Sequence, residues 1–225
     1  MVSAGHKTAG PDSQRRMLLR AEFLALYVVV PVILAVFLPP SAMLSVLLAV
    51  TLLGAILLHI TPGFRWSDLT HDWRHIEWRI VAIFTFITVA VSWTIQIALL
   101  PDAFLVVYRM NPWVWLAIMA LYPILSALPQ EIVFRPLFFR RYDPILPSQP
   151  AALILNAAVF SLAHLLYWNW VVWTMTFAGG LVFAWAYKAR GSFPLAVVLH
   201  AVAGNILFTI GTGMFFYTGT IVRPF

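Results

Sequence analysis

The chain has 225 residues, of which 62% are hydrophobic and only 10% are charged, and its mean hydropathy is +0.90. A soluble domain usually carries about a quarter of charged residues, so this composition excludes a soluble protein and indicates an all-α, polytopic membrane protein. The net charge of +6 comes from basic residues that flank the apolar runs, and this placement indicates membrane topology rather than nucleic-acid binding. The absence of cysteine excludes disulfides and a thiol nucleophile.

The chain begins with a polar, basic tail over residues 1–20, which we expect to be cytoplasmic. N-terminal transmembrane helices are predicted within residues 21–112, and the first is interpreted as a signal anchor because no small-residue cleavage site follows it. A core of four further helices is predicted within residues 113–210. Residues 211–225 form a short C-terminal segment, either an eighth short helix or an interfacial cap. The predicted spans are 21–38, 41–60, 80–100, 113–139, 151–167, 171–188 and 193–210.

Basic residues are distributed unevenly among the predicted loops. Alternate loops, at residues 1–20, 61–79, 140–150 and 188–191, hold nearly all of the loop Lys and Arg residues. The loops on the opposite side of the membrane hold only Arg109 and Arg223. Cytoplasmic loops carry an excess of Lys and Arg, so the N-terminus is predicted to be cytoplasmic, in a cell inner membrane. The basic residues of the cytoplasmic set are Lys7, Arg15, Arg16, Arg20, Arg65, Arg74, Arg79, Arg140, Arg141, Lys188 and Arg190.

The fourth span carries Gln130, Glu131 and Arg135 in an apolar stretch. Glu131 and Arg135 are four residues apart and share a helix face. Charged side chains inside a membrane are costly, which makes a functional site the default hypothesis. Glu131 could serve as a general base, with Arg135 orienting it or binding substrate. The alternative is an ion pair that only holds helices together.

Two later spans each carry one deep histidine, His164 and His200, and Asn205 follows His200. A single histidine in an apolar helix is often satisfied by a neighbouring backbone group, but two of them beside a buried Glu suggest a common polar centre. The Asn205 amide could donate to an oxyanion or bond a neighbouring helix.

These motifs resemble those of the CPBP family (CAAX protease and bacteriocin-processing, or Abi) of intramembrane endopeptidases. The family has Glu-Glu-x-x-x-Arg, Phe-x-x-x-His and His-x-x-x-Asn on successive core helices. This chain offers Gln130-Glu131-x-x-x-Arg135, Phe160-x-x-x-His164, and His200 with Asn205. The resemblance covers about residues 113–210.

Two positions depart from the family pattern. The first Glu of the pair is credited as the base in the family, but residue 130 is Gln. Three explanations remain: Glu131 takes over the role, the protein is a non-cleaving relative, or Gln130 is an engineered change. The usual Asn position of the third motif is held by Gly204, and Asn205 follows it.

The resemblance implies a glutamate-type protease that hydrolyses a peptide bond of a membrane-associated protein or peptide. Glu131, helped by His164, would deprotonate a water, and His200 and Asn205 would stabilise the oxyanion. No cofactor is expected, although Glu131, His164 and His200 could instead hold a catalytic zinc. Helix rise places Glu131 and His200 nearer the basic end, so the cavity is expected to open there.

The expected partners are membrane lipid and a protein or peptide substrate, without nucleic acid, and the oligomeric state is left open. A second function class is a non-catalytic membrane scaffold or immunity protein that keeps the family fold. A third is a proton-coupled transporter, because buried ionisable groups also line ion paths, although the sequence has no repeated halves.

Overall fold

The computed structural model describes residues 11–70 and 73–225, so residues 1–10 of the predicted tail lie outside it. The described residues form ten α-helices joined by short 3-10 and π-helical segments, without a strand. Within these ranges six helical segments are long and apolar enough to cross a membrane, and Gln149–Leu162 is a shorter apolar helix. The all-α, polytopic prediction is confirmed. The helices are α1 (Pro11–Leu24), α2 (Val30–Phe37), α3 (Met43–His59), α4 (Trp78–Leu99), α5 (Val106–Met110), α6 (Pro112–Tyr122), α7 (Leu128–Ile132), α8 (Gln149–Leu162), α9 (Trp170–Lys188) and α10 (Phe193–Ile210).

The first span is longer than the apolar run predicts. Helix α1 begins at Pro11, inside the segment interpreted as a tail, and the helical stretch Asp12–Phe37 continues through a π-helical turn at Ala25–Val29. Arg15, Arg16 and Arg20 are exposed on α1. The basic residues therefore extend a helix beyond its apolar part.

Ion pairs connect four segments at one end of the bundle. The Arg141 guanidinium donates to the Glu22 carboxylate at 2.7 Å, and Arg190 donates to Glu77 at 2.7 Å. The other two pairs are longer, at 3.6 and 3.8 Å. The loops that the Lys and Arg pattern groups together therefore meet at a common end, while the side of the membrane they face stays a prediction. The four pairs are Arg141–Glu22, Arg140–Asp68, Lys188–Asp143 and Arg190–Glu77.

The C-terminal segment closes the other end. It forms 3-10 helices at Thr212–Phe216 and Thr218–Thr220 rather than another α-helix. Gly211 has φ +121°, and a Cβ there would lie 2.1 Å from the Ala103 carbonyl oxygen, so only glycine fits this close approach. The segment acts as a cap on the bundle.

The fourth span, Pro112–Arg141, combines α6 and α7 with two π-helical segments at Pro123–Ala127 and Val133–Arg141. Asn111 caps its start, because the side-chain oxygen accepts from the Trp113 and Val114 amides at 3.0 and 3.3 Å. A proline inside a helix cannot donate to the preceding turn, and Pro136 lies within the second π-helical segment. The wider turns on both sides of α7 set the directions in which its side chains point.

Helix α8 is too short to cross a bilayer. Its 14 residues extend about 21 Å, against a hydrocarbon core of about 30 Å. The chain then turns, with Trp168 in the left-handed region at φ 49°, and Asn169 caps α9. The fifth span predicted at 151–167 is therefore wrong in its end, and His164 lies in the turn beyond α8.

Candidate active site

Glu131 and Arg135 form a fully buried ion pair across one turn of the fourth span. The Arg135 Nε donates to Glu131 Oε2 at 2.8 Å and Nη2 donates to Oε1 at 3.3 Å. Both side chains are 0% exposed. The common helix face that their spacing predicts is confirmed, and the pair is shielded from lipid.

Asn156 on α8 completes this pair and was not predicted from the sequence. Its side-chain oxygen accepts from Arg135 Nη1, and its amide donates to the Phe134 carbonyl oxygen at 2.6 Å. The Arg135 guanidinium also lies 5.1 Å from the centre of the Phe160 ring. Asn156, Phe160 and His164 follow one another at four-residue spacing, which is the signal that could have revealed Asn156. All three guanidinium nitrogens of Arg135 thus donate to protein side chains, those of Glu131 and Asn156.

His200 on α10 binds the other side of Glu131. Its Nδ1 lies 2.8 Å from Glu131 Oε1, and its ring stacks on Phe183 with centroids 4.9 Å apart. A carboxylate only accepts, so Nδ1 carries the proton and donates it. In the neutral imidazole, His200 Nε2 is then left as an acceptor.

His164 is held in the same way by a backbone group. Its Nδ1 lies 2.8 Å from the Phe160 carbonyl oxygen, so Nδ1 donates and Nε2 is again free. The Phe160 ring contacts both imidazoles, with centroid distances of 4.8 Å to His164 and 5.6 Å to His200. One aromatic ring thus sets the spacing of the two histidines.

A cavity of about 720 Å³ reaches both histidines. Most of its lining is apolar and comes from α2, α3, α4, α9 and α10. Glu131 and Arg135 do not line it, since they lie behind His200. Gln130 does line it, and its amide donates to Ser126 Oγ at 2.9 Å. The polar residues that face the cavity include Tyr122, Ser126, Gln130, His164, Tyr167 and His200.

The cavity extends away from the end that carries the ion pairs. Its outer lining includes Leu38, Pro40, Phe216 and Thr218, which belong to the opposite loops and to the C-terminal cap. The expectation of a cavity that opens toward the basic end is wrong. That expectation relied on the short distance of Glu131 and His200 from the basic end. The aromatic side chains of the π-helical segment Val133–Arg141 fill the space between these two residues and that end.

Asn205 is turned away from the cavity. Its amide donates to the Met119 carbonyl oxygen on α6 at 3.2 Å, and Asn205 is not among the lining residues. Of the two roles considered for Asn205, the structure places it in helix-to-helix bonding, and its oxyanion role stays a prediction. Gly204, one residue earlier, faces the cavity.

The donors considered for zinc do not form a metal site. Among residues 11–70 and 73–225, no three His, Cys, Asp or Glu side chains converge as a metal-binding group. The two oxygens of Glu131 already accept from Arg135 and His200. The arrangement does not fit a zinc held by Glu131, His164 and His200.

Residues of all three motifs, though not Asn205, thus come together in one buried polar cluster. The family model described as Type II CAAX prenyl endopeptidase Rce1-like matches residues 111–206. This segment, less than half of the chain, is therefore similar to the Rce1-like family. The Rce1-like segment contains every polar residue of the cluster, and it confirms the resemblance to CAAX-type membrane proteases. No curated protein and no solved structure matches the chain.

Proposed function

We propose that the chain is an intramembrane endopeptidase that hydrolyses a peptide bond of a membrane-associated protein or peptide. The observation that supports this most directly is the pair of free Nε2 atoms, on His164 and His200, at one cavity. A buried carboxylate, Glu131, bonds the second of them at 2.8 Å. The similarity of residues 111–206 to a family of CAAX prenyl endopeptidases supports the reaction type.

His200 is the general base of the proposed reaction. Its Nε2 takes a proton from a water, and the water oxygen attacks the carbonyl carbon of the scissile bond. When the tetrahedral intermediate collapses, the C–N bond breaks and His200 Nε2 returns the proton to the amine nitrogen. His164 Nε2 accepts a hydrogen bond from the same water and orients it.

Glu131 acts through His200 in this scheme. Its carboxylate is fully buried and does not line the cavity, so it is not positioned to take a proton directly from a water in the cavity. It fixes the tautomer of His200 and stabilises the imidazolium, as an orienting carboxylate does in a catalytic triad. This differs from the sequence-based expectation, in which Glu131 deprotonates the water.

The substrate class follows from the family description and from the cavity. The family is described as a CAAX prenyl endopeptidase, and the cavity lining includes Ile87 and Trp170, which are also exposed on the surface of the bundle. A substrate with an apolar anchor can therefore enter from the hydrocarbon region. We place the protein in a cell inner membrane with its N-terminus in the cytoplasm.

Cleavage by the purified protein in liposomes tests the proposal. The probe is a farnesylated peptide that ends in a Cys-aliphatic-aliphatic-X sequence, and mass spectrometry of the products locates the cut. His200→Ala and His164→Ala are each expected to lose at least about 100-fold in kcat/KM. His59→Ala is the matched control, since His59 is bonded to Trp66 outside the cavity. Full activity in both active-site variants would remove the mechanism.

One observation favours a second candidate, a non-catalytic scaffold or immunity protein. The side chain at position 130 faces the cavity, but it is an uncharged amide. The scaffold hypothesis predicts a parent protein without cleavage activity and a gain of activity in Gln130→Glu. It also predicts that His200→Ala preserves the cellular phenotype while disruption of packing abolishes it.

A further inference from the structure

Tyr122 occupies the position on the cavity wall that a side chain at residue 204 would fill. A Cβ on Gly204 would lie 2.0 Å from Tyr122 Cε1 and 2.6 Å from its hydroxyl oxygen. The Tyr122 ring also makes an edge contact with His200, with centroids 6.1 Å apart. Gly204 is therefore required to admit the phenol, and the phenol lies beside the proposed base.

The hydroxyl belongs to a row of polar groups along the fourth span. Tyr122, Ser126 and Gln130 are spaced four residues apart and all line the cavity. Gln130 Nε2 donates to Ser126 Oγ at 2.9 Å, and Tyr122 lies one turn before Ser126 on the same cavity wall. With Gln130 donating to Ser126, the Ser126 hydroxyl is free to donate to Tyr122. The proton of Tyr122 then remains available to the cavity.

We propose that the Tyr122 hydroxyl donates a hydrogen bond to the oxyanion of the tetrahedral intermediate. This assignment rests on the proposed function. The hydroxyl lies against Gly204, which follows His200 by four residues, or about 6 Å of helix rise. A carbonyl group attacked by a water on His200 can place its oxygen toward that hydroxyl. A fixed donor aimed at the developing charge is a large contribution to catalysis.

The amide at position 130 has a defined part in this arrangement. A carboxylate there could only accept, so Ser126 would donate to it and Tyr122 would donate to Ser126. The Tyr122 proton would then be engaged within the row. The structure thus assigns Gln130 the role of a positioning residue that keeps the phenol proton free.

Tyr122→Phe removes only the hydroxyl and tests the donor. In the liposome assay we expect kcat to fall about 100- to 1,000-fold, while KM stays within about threefold of the parent value. Gln130→Glu is expected to lower kcat through Tyr122, so it should have little further effect in the Tyr122→Phe background. Tyr108→Phe is the matched control, because Tyr108 on α5 is exposed and outside the cavity lining.

A donor exchange gives a readout that a structural role of Tyr122 would not produce. Tyr122→Ala opens the space over Gly204, and adding Gly204→Asn places an amide donor there. The double variant should recover at least about tenfold in kcat over Tyr122→Ala alone, which is the expected return of one donor.

The outcomes separate the two proposals. If the parent cleaves, His200→Ala does not, and Tyr122→Phe retains the parent kcat, the assignment of Tyr122 is overturned and the proposed function stands. If the parent does not cleave any probe, both are overturned. A drop in Tyr122→Phe together with recovery in the double variant supports the assignment.

Discussion

Asn156 gives the most direct test of how the buried ion pair is held. Asn156→Ala removes the acceptor of Arg135 Nη1 and the donor to the Phe134 carbonyl oxygen. A hydrogen bond to a charged group contributes about 1.5–3 kcal/mol and a neutral one about 1 kcal/mol. Their sum predicts that the free energy of unfolding falls by about 2.5–4 kcal/mol.

Reversible unfolding by SDS in mixed micelles measures this loss. Asn205→Ala is the matched control, since Asn205 also lies on a core helix but donates one neutral bond, to the Met119 carbonyl oxygen. The control is expected to lose about 1 kcal/mol. If Asn156→Ala loses no more than Asn205→Ala, the reasoning that Asn156 holds Arg135 is refuted.

Two further predictions concern packing and pH. Gly180→Leu should destabilise the protein by about 1–3 kcal/mol, because a Cβ there already lies 3.1 Å from the Ala157 backbone. Gly179→Leu should cost less, because residue 179 lines the cavity and a Cβ there meets only the edge of the Phe183 ring, at 3.3 Å. Equal losses in micelle unfolding would contradict the packing argument. Burial is the main cause, and the hydrogen bond to Glu22 the second, that raise the pKa of the Tyr142 hydroxyl above its ordinary value of 10.0. The stabilising contribution of Tyr142 is therefore fully present below pH 10 and is lost as pH rises through the pKa of the folded state. The fall in unfolding free energy between about pH 9 and 12 should therefore be shallower in Tyr142→Phe, and an unchanged slope would exclude this group.

The sequence predicts the helices well because long apolar runs bounded by prolines and charges have few other structures in a membrane. It also predicts the Glu131–Arg135 pair, because four-residue spacing fixes a common face. The meeting of Glu131 with His200 follows only from the family motifs, since nothing in the spacing of two separate spans determines their contact.

The direction of each side chain on the fourth span could not be predicted. The regular α-helical period fails at the π-helical segments on both sides of α7, and a π-helical turn shifts the residues that follow around the helix axis. Gln130 therefore faces the cavity while Glu131 faces the protein interior. The need for glycine at position 204 could not be predicted either, because Tyr122, whose ring fills the space over Gly204, is distant in the chain.

The place of His164 was mispredicted for a related reason. Hydropathy continues past Leu162, so the apolar run does not show that α8 stops there. The helix ends where Ala163 and His164 adopt turn conformations. Exposed polar backbone is tolerated at this depth because the turn borders the cavity.

The shortness of α8 has a consequence for how water reaches His164. A helix about 9 Å shorter than the hydrocarbon core ends inside the membrane thickness, so the turn that carries His164 borders the cavity at that depth. We therefore predict that turnover by the proposed protease rises in lipids of shorter chain length, because a thinner bilayer brings this turn closer to the water at the headgroups. Equal turnover in liposomes of short-chain and long-chain lipids would contradict this reasoning.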